Sequence, residues 1–145
     1  MIRNGDVLYR HIEKLVHYLG YLETLRSQCC SLSIVQSASI LAIGKVQDIT
    51  VNGLAEELRL DKSSASKHVT NLVESGYVKR TESQEDRRYF VLSLTDKGQE
   101  AYQTIQDVSQ QFYETIFDKM APEDKDSLQQ GLNAMLKVIR ESDCC

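Results

Sequence analysis

The stretch Leu54–Arg80, LAEELRLDKSSASKHVTNLVESGYVKR, decides the fold. Apolar residues take helical spacing twice: Leu54, Ala55 and Leu58 share one helix face with Val51 just upstream, and Ala65, Val69, Leu72 and Val73 share another. About three residues separate the two short helices, which is the signature of a helix-turn-helix. Asp61 stands where the second helix needs an N-cap, and Gly76 stands just past its end.

Working outward, the runs YVKRTE (77–82) and YFVLSLT (89–95) are β-branched and aromatic, and they flank the polar loop SQEDRR (83–88). That pattern predicts a two-stranded hairpin, and a hairpin directly after the second helix is a wing. LTDKG (94–98) then opens a long helix with Thr95 as its cap, carrying Tyr102, Ile105, Val108, Phe112 and Ile116 on one face. Pro122 begins a last helix with Leu128, Leu132, Met135, Leu136 and Ile139. Upstream, Leu8, Ile12, Leu15, Leu19 and Leu22 form the stripe of a first helix, widened by Tyr9, Tyr18 and Tyr21. SLSIVQSASILAIGK (31–45) reads as a second helix capped by Ser31 or Ser33, and Ile49–Val51 as a short strand.

The expected fold class is mainly α with a small β-hairpin wing. Residues 1–145 form one domain, with a winged helix-turn-helix over 33–95 and a helical dimerisation part over 1–28 and 96–145. The length and the 41% hydrophobic content suit a single core. MIRNGDVLYRHIEK is charged from its third residue, and no apolar run nears the roughly 18 residues of a membrane span. The expectation is a cytoplasmic protein without a membrane partner.

The formal net charge of -4 argues against a nucleic-acid partner until its distribution is considered. Residues 59–90 carry seven Lys/Arg against five Asp/Glu, whereas the rest of the chain carries ten against sixteen. The one basic segment is the helix-turn-helix and wing. On its second helix Ser63, Ser64, Ser66, Lys67, His68 and Thr70 face away from Val69, Leu72 and Val73, short polar and basic side chains of the kind a major groove admits. Lys67 and His68 are the expected base readers, and Ser63 and Ser64 suit phosphate oxygens as well. The bland alternative for the serines is a set of caps and solvated positions.

The order of elements resembles the MarR family of winged-helix transcriptional regulators. The pattern LAxxLxxDxSxxSxxVxxLxxxGxVxR, followed by DRRxxxxxLTxKG and a long C-terminal helix pair, carries the resemblance over essentially the whole chain. It implies a homodimer on a pseudo-palindromic site in double-stranded DNA, acting as an effector-released repressor. It also implies that Asp86 orients Arg88 while Arg87 enters the minor groove, the reverse assignment of the two arginines staying open. A small aromatic effector near Tyr18, Tyr21 and His17 is one expectation of the family. The competing readings are an exposed ion-pair cluster at the wing and a winged-helix interaction module that binds no DNA.

No nucleophile elbow, phosphate-cradling glycine loop or metalloprotease spacing occurs, so an enzyme is not expected, and no cofactor is required for folding. The cysteines fall in two adjacent pairs, Cys29–Cys30 and Cys144–Cys145. Paired thiols suit soft metals and metalloids such as arsenite, Cu(I) or mercury, or oxidant sensing, so all four are candidate effector thiols and metal ligands. Zinc, with His11 or His17 adding to the thiols, lacks a standard spacing. Against this stands the reading of Cys29 and Cys30 as small hydrophobes and of the C-terminal pair as an incidental tail.

Overall fold

A computed structural model describes residues 4–142. The elements run α1 (Asn4–Gln28), α2 (Ile34–Lys45), α3 (Val51–Leu58), α4 (Lys62–Glu74), β1 (Val78–Glu82), β2 (Phe90–Leu94), α5 (Asp96–Asp118) and α6 (Pro122–Glu141). Two compact units follow one another, Met1–Ser109 and Gln110–Cys145, with α5 running through the boundary.

In the first unit the helix ends are set locally. Ser33 and Gln36 form a capping box at α2, Thr50 accepts the Gly53 amide at α3, and Asp61 accepts the Ser64 amide at 2.8 Å at α4. α3 ends with Arg59 in the left-handed region at φ 52°, where its amide donates to the Ala55 and Glu56 carbonyls and turns the chain toward α4. Ile40, Leu54, Val69, Leu72, Leu92 and Ile105 are fully buried together, so α2, α3, α4, the wing and the start of α5 share one core.

The expected strand at Ile49–Val51 does not form. Thr50 is the N-cap of α3, and capping claims the segment for a helix start; one strand-like bond remains, from the Leu92 amide to the Ile49 carbonyl at 2.8 Å. β1 and β2 pair antiparallel, with Val78 opposite Leu94, Arg80 opposite Leu92 and Glu82 opposite Phe90. Gly76, at φ 81°, lets the chain leave α4 for β1. α5 starts hard against that turn: a Cβ on Gly98 would stand 2.0 Å from the Tyr77 carbonyl oxygen, and Thr95 caps the helix by accepting the Gly98 amide at 3.1 Å.

α1 buries only Leu22. Arg26 ties its end to α5, with Nε donating to Ser109 Oγ at 2.7 Å while Nη1 pairs with Glu23 at 2.6 Å. In the second unit α6 buries no residue, and an apolar groove of about 260 Å3 lies among Tyr113, Ile116, Phe117, Met120 and Leu128. Among the described residues no helix is long and apolar enough to cross a membrane.

Candidate nucleic-acid interface

The exposed face of α4 is set by what its other face buries. Ala65, Val69 and Leu72 enter the core, which leaves Ser63, Ser66, Lys67 and Thr70 exposed. Ser64 and His68 are half-buried one turn apart on the flank. Ser64 is committed to the cap, with its amide on Asp61 Oδ1 and its hydroxyl donating to Oδ2 at 2.7 Å. Those bonds hold the Asp61 carboxyl below its ordinary range, the Ser64 hydroxyl contributing most. The open polar face is therefore narrower than the sequence pattern suggested.

The wing carries a second group of cations. Its loop closes through the Tyr89 amide on the Asp86 carbonyl at 3.0 Å and the Ser83 amide on the Tyr89 carbonyl at 2.8 Å. Asp86 then takes Arg88 in a fork: Nε donates to Oδ1 at 3.0 Å, Nη2 donates to Oδ2 at 2.7 Å, and the Arg88 amide donates to Oδ1 at 3.0 Å. The Arg88 side-chain bonds hold the Asp86 carboxyl low, and the carboxylate in turn raises Arg88. Arg87 is exposed and has no hydrogen bond or ion pair among the described residues. The two arginines, indistinguishable in the sequence, are thus separated by the Asp86 fork.

A residue outside the expected site set joins the two groups. Arg80, on β1, donates from Nη2 to Thr70 Oγ1 at 3.2 Å, while the Thr70 hydroxyl donates to the Ser66 carbonyl at 2.9 Å. The pairing spans a strand and a helix, so only its place in the GxVxR run pointed to it. It fixes the wing's first strand to the exposed face of α4. The wing's other side is acidic: a groove of about 800 Å3 is lined by Asp48, Glu82, Glu85 and Asp86, with Gln47, Thr81 and Tyr89.

Residues 31–88, the helix-turn-helix and most of the wing, match the family model described as MarR family. The MarR-family pattern thus lies on the helix-turn-helix and wing, and the relatives that match the chain are HTH-type transcriptional regulators. The chain is 30% identical over 100 residues to the HTH-type transcriptional regulator SarZ of Staphylococcus haemolyticus, spanning 69% of this chain and 65% of that one. It is 22% identical over 111 residues to the HTH-type transcriptional regulator YfiV of Bacillus subtilis, spanning 77% and 69%. Its fold matches that of Streptococcus pneumoniae FabT in a crystal structure with DNA, with a TM-score of 0.77, 24% identity, and 92% and 98% of the two chains covered. MarR proteins and these relatives are transcriptional regulators, not enzymes.

Of the other expected site residues, Cys29 is exposed and Cys30 half-buried at the turn after α1, while Cys144 and Cys145 lie outside the described residues. His11 and His17 are exposed on α1 with Tyr18 and Tyr21. Among the described residues no three His, Cys, Asp or Glu side chains cluster as metal ligands would.

Proposed function

We propose that this protein is a homodimeric repressor of the MarR type that sets α4 in the major groove of a pseudo-palindromic operator and the wing tip in the adjacent minor groove, and that an effector releases it. The observation that carries the reading is the Arg80–Thr70 bond. It makes the exposed polar face of α4 and the cationic wing one continuous surface, so both are presented to the same partner. Lys67 reaches base edges, Ser63, Ser66 and Thr70 meet phosphates or bases, and Arg87 enters the minor groove, where narrow A·T-rich DNA concentrates negative potential. Arg88 is held against Asp86 and keeps the loop in shape. Ser64 and His68, on the flank, contribute at the edge of the same face.

The FabT complex supports DNA as that partner, being the same fold on the same ligand class. The acidic groove on the wing's other side repels phosphate and so restricts the docking orientation. Dimerisation is supported by apolar side chains left exposed on the terminal helices: Leu8, Leu15 and Val16 on α1, and Leu132, Leu136 and Ile139 on α6. Two-fold pairing sets two recognition helices roughly 34 Å apart, one turn of DNA.

Fluorescence anisotropy on DNA from upstream of its own gene tests the reading. Binding is expected to weaken steeply with salt, as released counterions require. Lys67→Ala and Arg87→Ala are each expected to lower affinity. Salt-insensitive binding, or unchanged affinity in both variants, would sink the proposal in favour of an interaction module.

A further inference from the structure

The function just proposed leaves the effector open, and the turn after α1 holds a cluster that DNA binding does not use. Cys29 Sγ and Cys30 Sγ stand 3.4 Å apart, both as free thiols. Cys29 is exposed and donates to the Arg26 carbonyl at 3.2 Å, while Cys30 faces inward, 4.0 Å from the Ala101 carbonyl of α5, packed against the winged-helix core. One sulfur is open to a ligand, and the other touches the core.

The geometry selects among soft acceptors. Two sulfurs 3.4 Å apart, each about 2.3 Å from a shared centre, subtend an angle of about 95° there. A linear two-coordinate ion such as mercury or Cu(I) needs the sulfurs much farther apart, and a tetrahedral ion needs ligands that the described residues do not supply. A pyramidal trivalent centre matches that separation and angle. Oxidant sensing is disfavoured: partial burial and the neighbouring Cys30 sulfur push the Cys29 thiol up to about 11, so little thiolate is present at neutral pH.

We propose that Cys29 and Cys30 form a two-thiol site for a trivalent arsenical, and that filling it weakens DNA binding. The coupling rests on the repressor reading; the site itself does not. With a monosubstituted arsenical the step is a condensation: two As–S bonds form, the arsenic–oxygen double bond breaks, and both thiol protons leave with that oxygen as water. Nothing is oxidised or reduced. Binding turns the Cys30 sulfur toward arsenic and away from Ala101, which shifts the α1–α2 turn against the core that carries α4.

The test uses phenylarsine oxide on the reduced full chain carrying Cys144→Ser and Cys145→Ser, which removes the competing C-terminal pair. Intact mass spectrometry is expected to find one phenylarsine group per chain, with two thiols lost to titration and the adduct retained against a large excess of glutathione. Adding Cys29→Ser or Cys30→Ser should make the adduct reversible by glutathione, because a single thiol has no chelate. No retained adduct, or equal retention after Cys29→Ser, overturns the site. Anisotropy on the same DNA should show the loaded protein binding about tenfold more weakly. A loaded protein with unchanged affinity overturns the coupling alone; a protein that binds no DNA before loading overturns the repressor reading, while mass spectrometry still judges the site.

Discussion

The winged-helix core and the C-terminal helix α6 both carry apolar side chains at regular spacing but are opposite in what they do with them. Leu54, Val69, Leu72 and Leu92 are fully buried within one chain, whereas Leu128, Leu132, Leu136 and Ile139 line α6 at helical spacing and every residue of that helix keeps solvent contact. Buried Leu or Ile side chains contribute roughly 1.5–3 kcal/mol each, a gain α6 does not collect within its own unit. The same amphipathic code therefore has two meanings. In the core it specifies an internal packing, and in α6 it leaves an exposed apolar stripe.

The sharpest way to break that comparison is to cut into each side. Leu54→Ala is expected to destabilise the protein by about 2–5 kcal/mol, because a fully buried leucine leaves a cavity between α2, α3 and α4. Urea unfolding measures it, and a loss comparable to a surface substitution would mean that the core is not packed as described. The double change Leu132→Glu and Leu136→Glu is expected to leave the monomer's stability within about 0.5 kcal/mol, since both sites are already exposed. Its effect belongs to assembly: analytical ultracentrifugation should show a monomer, and the melting temperature should lose the concentration dependence expected of the dimer. A variant that remained dimeric would place the interface elsewhere.

How far the sequence itself made this legible depends on the range of each interaction. Asp61, Thr95 and Gly76 act within a few residues, and so the boundaries of α4, α5 and the wing could be read from spacing alone. Thr50 misled for the same reason in reverse: Ile49–Val51 has β-branched composition, but one hydroxyl accepting the Gly53 amide starts a helix there. The Asp86–Arg88 fork is local yet undecidable from the letters, because Arg87 and Arg88 both lie within two residues of the acid and only the loop's backbone turn selects one. Arg80 was beyond reach, since its partner Thr70 is ten residues away on another element.

A smaller effect separates the two arginines. Arg87→Ala is expected to lower the salt slope of DNA binding by about one and to weaken binding on all sequences, as loss of one backbone or groove cation should. Arg88→Ala removes the partner of Asp86 and is expected to broaden the wing's amide resonances before it changes the slope. Equal slopes in the two variants would mean that the fork is opened on DNA and that both arginines reach it.

The smallest expected effect concerns pH, and it isolates the fork from everything else in the wing. Asp86 is held below its ordinary range by the Arg88 side chain, so its folded-state pKa lies under the unfolded value of about 3.9. A depressed carboxyl contributes stability that is present above the unfolded pKa and lost as pH falls through the folded one. The wing's shape should therefore be constant from neutral pH down to about pH 4 and change only below it. An NMR titration of the Asp86 carboxyl carbon reads this directly, with the Arg88 amide as second reporter because it donates to the same oxygen. In Arg88→Ala the midpoint should rise toward the ordinary value, since the largest cause of the depression is gone. If the midpoint stays where it was, the carboxyl is held by the loop backbone instead, and Arg88 would be as free for DNA as Arg87.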